Sequence, residues 1–67
     1  MKAEAPDFTA YELNHLQSLA LRSEYYRKAH KFVMDFVDDF LKYETMSEKQ
    51  QKWLWGIKAE MRESVEG

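Results

Sequence analysis

The residues that could carry out chemistry in this 67-residue chain are few. There is no cysteine, which excludes disulfides, thiol nucleophiles and thiolate zinc sites. Glu12 and His15 have the Glu-x-x-His spacing of di-iron helical bundles, but such a site needs further carboxylates from facing helices, such as Asp35, Asp38 or Asp39. Glu12 is better explained as a helix-capping residue. The serines, at positions 18, 23, 47 and 64, lie in no nucleophile motif. We therefore predict no catalytic residues, no metal site, no cofactor and no enzymatic activity.

Aromatic side chains are the more informative feature, and they make up 15% of the chain. One stripe of them follows helical spacing and consists of Tyr25, Phe32, Phe36, Phe40 and Tyr43. Together with Val33, Val37 and Leu41 it forms an apolar face wider than the roughly 100° that a surface helix needs. Most of this face belongs in a core, but the other helices of so short a chain can cover only part of it. We predict that Phe32, Phe36, Phe40 and Tyr43 contact a partner.

The two tryptophans stand on different sides of a third helix. Trp53 belongs to an apolar stripe with Leu54, Ile57, Met61 and Val65, whereas Trp55 lies about 130° away from the centre of that stripe. Gly56 in mid-helix costs about 1 kcal/mol relative to alanine, which makes sense if another backbone or ring passes close by. Trp55 either packs on the first helix or, as we predict, anchors a partner.

A basic and aromatic segment offers an alternative function, and its residues are Tyr25, Tyr26, Arg27, Lys28 and Lys31. Rings that stack on bases and cations that neutralise phosphates are what single-stranded nucleic acid requires. The net charge of −2 and the lack of any nucleic-acid module signature favour protein contacts instead.

The length allows a single domain, residues 1–67. A core of this size usually supplies no more than about 3–5 kcal/mol of stability, so oligomerisation is the expected support. No apolar run reaches the roughly 18 residues of a membrane span, and positions 1–6 lack the apolar stretch of a signal peptide. We expect a cytoplasmic protein with no membrane contact, in which residues 1–8 form a flexible lead-in.

The elements that position these residues are helices. Thr9 with Glu12, and Ser47 with Gln50, form two capping boxes. The apolar stripe of residues 13–20 and that of residues 25–43 point roughly 150° apart, which favours a break near residues 22–24 with Ser23 as the cap. One continuous helix from about residue 10 to residue 44 is the alternative. We predict an all-α bundle of two or three helices, about 10–22, 24–44 and 48–64, completed by homodimerisation.

The charge pattern supports that dimer. Residues 22–31 carry four cations against Glu24, and residues 35–48 carry five carboxylates against Lys42. Two copies laid antiparallel would set each basic half against the other's acidic half, in the two-fold symmetry that most homo-oligomers adopt. The alternative is that these are only solvated faces, where each pair contributes well under about 1 kcal/mol.

Residues 46–54, from Met46 to Leu54, resemble the helix openings of small phage and mobile-element accessory proteins. The resemblance covers a capping box and its apolar anchor, and it carries no functional residues. It implies a phage or prophage origin, in which short helical proteins bind host or phage machinery. Our prediction from the sequence is thus a small helical interaction protein that binds a second copy of itself and an unidentified partner protein.

Overall fold

The computed structural model describes residues 5–39 and 41–66, with side chains as far as residue 64. This part of the chain contains four helices and no strand: α1 (Ala10–Ala20), α2 (Glu24–Asp38), α3 (Lys42–Thr45) and α4 (Glu48–Glu66). The all-α prediction is confirmed. None of these helices is both long enough and apolar enough to cross a bilayer.

Both predicted capping boxes are present. The Glu12 N–H donates to Thr9 Oγ1 at 3.2 Å, and the Thr9 N–H donates to Glu12 Oε1 at 2.9 Å. The Ser47–Gln50 pair repeats this reciprocal arrangement at 3.2 and 3.0 Å. Each box satisfies backbone donors that the first turn of a helix leaves without an intrahelical partner, so it fixes where α1 and α4 begin.

The break between the first two helices falls at residues 21–23, and the single helix over residues 10–44 is wrong. The N–H groups of Arg22 and Ser23 both bond to the carbonyl of Leu19, at 3.0 Å each, and close α1 in a tight turn. Ser23 occupies the predicted N-cap position with extended backbone, although its side chain makes no capping hydrogen bond. The change of direction lets both apolar stripes face one core.

The second predicted helix, 24–44, is longer than the helix that forms. Its helical conformation ends at Asp38, because Asp39 adopts φ −144° and ψ 91°. The Asp39 carboxylate accepts a hydrogen bond from the Leu41 N–H at 3.2 Å, a local bond by which aspartate competes with helix continuation. After this turn the short α3 follows.

The core draws side chains from all four helices: Leu16, Ala29, Val33, Phe36, Tyr43, Leu54, Ile57 and Met61. Pro6 is also fully buried, and Phe8 packs against the core. Residues 6 and 8 of the predicted flexible lead-in are therefore packed in place, whereas residues 1–4 lie outside the described residues. The side chain of Val65, assigned to the stripe of the last helix, also lies outside them.

Candidate interaction surface

Aromatic side chains form the contact between α2 and α4. The Trp53 ring stacks on Phe32 with centroids 4.6 Å apart and planes 14° from parallel. The Trp53 indole N–H donates to the Tyr25 hydroxyl at 3.0 Å, and the Tyr26 hydroxyl donates to the Glu60 carboxylate. Phe32 therefore packs within the chain, where it is only half-buried.

Phe36 and Tyr43, which we predicted to contact a partner, are buried in the core instead. Phe36 is fully buried, and Tyr43 is 4% exposed with its ring edge-on to Phe36 at 6.0 Å. The turn after α2 is the physical reason, since it brings α3 back over the core instead of prolonging one wide apolar stripe. Phe40, the remaining member of the set on this segment, lies outside the described residues.

Trp55 keeps an exposed ring. Its side chain is 42% exposed, and its indole N–H donates to the Tyr43 hydroxyl at 2.8 Å. This hydrogen bond goes to α3 rather than to α1. Since the N–H is the only polar group of tryptophan, what remains exposed to water is hydrocarbon. The hydrogen bond also fixes the ring, so the indole is held in one orientation on the surface.

A groove of about 380 Å³ lies beside this ring on α4, lined by Trp55, Lys58, Ala59, Arg62 and Glu63. Ala59 is exposed and stands one turn after Trp55, so it leaves a shallow step next to the larger side chains. Gly56 shares this outward side of the helix. We call the exposed residues Trp55, Gly56, Ala59, Arg62 and Glu63 the Trp55 surface.

Gly56 has no structural neighbour that requires a glycine. A Cβ added there would meet nothing within 4 Å, and no described residue adopts a positive φ. The close approach that we predicted at Gly56 does not occur among the residues that the structure describes. Internal packing therefore does not explain a glycine in the middle of α4, although it lowers helix stability by about 1 kcal/mol.

Glu12 and Lys58 form a nearly buried ion pair that the sequence did not reveal. The Lys58 ammonium lies 2.6 Å from each Glu12 carboxylate oxygen, and the two side chains are 17% and 4% exposed, respectively. Burial raises the pKa of Glu12, but the hydrogen bonds from Lys58 and Thr9 outweigh it, so the net pKa lies below its ordinary value. The pair ties α4 to α1 directly beneath the Trp55 surface.

The tyrosines of the basic and aromatic segment of α2 are partly used within the chain. The hydroxyls of Tyr25 and Tyr26 are engaged with α4, although Tyr25 remains 52% exposed. The cations Arg27, Lys28 and Lys31 are exposed.

Carboxylates and histidines are dispersed. Glu12, the first residue of the Glu-x-x-His spacing, is engaged by Lys58 and Thr9. Across residues 5–39 and 41–66, no group of three or more histidine, aspartate or glutamate side chains is placed to hold a metal ion. What the described surface offers is an apolar contact area and charge, both on helices.

No protein-family model matches this chain, and no curated protein and no solved structure is significantly similar to it. The resemblance of residues 46–54 to phage and mobile-element proteins stays a prediction.

Proposed function

We propose that this protein is a non-enzymatic helical interaction module, homodimeric, that binds a partner protein through the Trp55 surface. The observation that carries the proposal is the half-exposed Trp55 ring, which Tyr43 holds in place by a hydrogen bond. Tryptophan is among the residue types most enriched at binding hot spots, where a rigid ring fills a pocket on the partner. A fixed ring also loses little conformational entropy on binding.

The rest of the Trp55 surface supports the same function. Gly56 and Ala59 allow a partner backbone to approach α4 closely beside the ring. Arg62 and Glu63 add one charge of each sign at the edge of the groove, where polar groups favour specificity over affinity. The partner that fits is a protein segment in which an apolar side chain packs on the Trp55 indole and a small residue or the backbone lies against Gly56.

Capture from an extract of the source organism, with captured proteins quantified by mass spectrometry, tests this function. We expect at least one protein to be captured by the wild type and lost with Trp55→Ala and with Ala59→Glu. The second variant leaves the core and the Tyr43 hydrogen bond unchanged and only fills the step on α4. Tyr11→Ala is the matched control, since Tyr11 is a 76% exposed aromatic residue on α1. A captured set that all four proteins share would contradict the proposal.

Nucleic-acid binding has weaker support. Tyr25 and Tyr26 use their hydroxyls within the chain, and the cations of α2 share their outward side with carboxylates. A salt titration of single-strand binding decides this alternative. We expect no measurable binding even at low salt, where phosphate contacts are strongest.

A further inference from the structure

The outward side of α2 is charged along its whole length, and its two halves differ in sign. Arg27, Lys28 and Lys31 stand in the first half, and Asp35 and Asp38 stand in the second. Asp39 follows directly after the helix. All six side chains are exposed, while Ala29, Val33 and Phe36 on the opposite side are buried. We call this side the charged face of α2, defined by residues 27, 28, 31, 35, 38 and 39.

None of the six charged groups forms an ion pair within the part of the chain that the structure describes. Lys31 and Asp35, four residues apart, are positioned to pair along the helix but do not. The charged face therefore presents its separated charges to whatever lies outside the chain.

We propose that a second copy of this chain docks on the charged face of α2, with the two α2 helices antiparallel and the two-fold axis at the level of Val33. Residues equally far before and after that level then face each other. Lys31 of each copy lies opposite Asp35 of the other. In the same way Lys28 faces Asp38, and Arg27 faces the level of Asp39, which follows directly after the helix. Two-fold symmetry makes every one of these contacts twice.

The charges themselves select this register. Centring the pair on Lys31 instead would place that lysine opposite its own copy and Glu24 opposite Asp38, both of which are repulsive.

This inference specifies the surface of the homodimer in the proposed function and is independent of the Trp55 surface. Since exposed ion pairs are individually weak and are screened by salt, the dimer is expected to be moderate in affinity and to weaken about tenfold or more from low to high salt. A dimer joined through α2 carries two copies of α4, so the module becomes bivalent for its partner.

Charge reversal with a mixing step tests the inference by sedimentation at micromolar concentration and low salt. The first variant is Lys28→Glu with Lys31→Glu, and the second is Asp35→Lys with Asp38→Lys. In a homodimer of either variant, every contact that involves a substituted residue would be repulsive. Both also place charges of the sign that the α2 dipole favours, so the monomers keep their helix. Lys49→Glu with Lys52→Glu, on exposed positions of α4, is the control with the same change in net charge as the first variant.

We expect the wild type and the control to be dimers, and each α2 variant alone to dissociate with a Kd at least about tenfold weaker. An equimolar mixture of the two α2 variants should form a heterodimer, because every contact between them is attractive. The control mixed with the Asp35→Lys, Asp38→Lys variant should not.

Two results would overturn the inference. If the wild type is a dimer and both α2 variants remain dimers alone, the interface lies elsewhere and only the homodimer of the proposed function stands. If the wild type is a monomer at low salt, this surface and the homodimer both fail, while partner capture through Trp55 is untouched.

Discussion

The two sides of α4 use the same residue type for opposite purposes. Trp53 stacks on Phe32 in the contact with α2, and Trp55, two residues later, leaves 42% of its side chain exposed. Each indole N–H donates to a tyrosine hydroxyl, at 3.0 Å for Trp53 and 2.8 Å for Trp55. Both indole N–H groups thus have a hydrogen-bond partner within the chain, and the two rings differ in how much of their hydrocarbon surface is exposed. Trp55 is therefore available for contact with a partner, whereas Trp53 packs against the core.

Of the substitutions that test this comparison, removal of the Trp53 ring is expected to lower the stability of the fold most. Trp53→Ala removes the stacking on Phe32 and leaves a gap between α2 and α4, so we expect it to lower the free energy of unfolding by about 3 kcal/mol. A core of this size supplies about 3–5 kcal/mol, so the variant should keep no more than about 2 kcal/mol of stability and be measurably unfolded at room temperature. Urea titration followed by far-UV circular dichroism measures it. A cooperative transition close to that of the wild type would show that Trp53 is not part of the fold's support.

The ion pair on the inner side of α4 gives the next largest effect. Glu12→Gln keeps the capping box, because glutamine also serves at that position, but it removes the charge that Lys58 binds. We expect a loss of about 2 kcal/mol at neutral pH, as is typical of a hydrogen bond to a charged group.

The pH dependence follows from the lowered pKa of Glu12. A carboxyl group whose pKa is lower in the folded state adds stability above its unfolded value, near 4.5, and loses it as the pH falls through the folded pKa. The wild type should therefore lose stability on acidification below about pH 5 more steeply than Glu12→Gln. Parallel pH profiles of the urea midpoint for the two proteins would contradict this role of the pair.

On the outer side of α4, removal of the second tryptophan is expected to have a small effect on folding and a large one on binding. Trp55→Ala gives up one hydrogen bond and part of a half-exposed ring, so we expect a loss of no more than about 1 kcal/mol. Tyr43→Phe separates the two contributions, because it removes the acceptor and leaves the ring in place. Thermal unfolding of these two variants and of Trp53→Ala measures the difference in stability. Equal losses of stability for Trp53→Ala and Trp55→Ala would contradict the distinction between the two tryptophans.

The local signals in the sequence were sufficient for the helix starts, because a capping box needs only residues three positions apart. The break at residues 21–23 followed from a change in the phase of the apolar stripe. The end of α2 could not be predicted from the apolar pattern, because nothing in that pattern shows that the Asp39 carboxylate accepts a hydrogen bond from the Leu41 N–H. Pairing of Glu12 with Lys58 depends on how α1 packs against α4, which spacing along the chain cannot show.

For the site, the sequence placed Trp55 off the apolar stripe, where the structure exposes it, and its role in binding stays a prediction, whereas Phe36 and Tyr43 are buried. The position of Trp55 off the apolar stripe is a property of one helix and can be read locally. The wide apolar face of residues 25–43 assumed a single straight helix, and the turn after Asp38 removes that assumption. Once α3 folds back, Phe36 and Tyr43 cover each other, and the surplus apolar surface is smaller than the composition indicates.

The smallest effect has the opposite sign and tests the outer side of α4 most sharply. Gly56→Ala adds a methyl group into open space on a regular helix, so we expect it to raise the free energy of unfolding by up to about 1 kcal/mol. If a partner backbone lies against Gly56, the same methyl group will weaken capture of that partner although the module itself is more stable. Only a contact surface predicts this opposition, because a variant that impairs binding by damaging the fold would lower both quantities. A more stable Gly56→Ala protein that captures its partner as well as the wild type would confine the binding site to Trp55 and the groove beyond it.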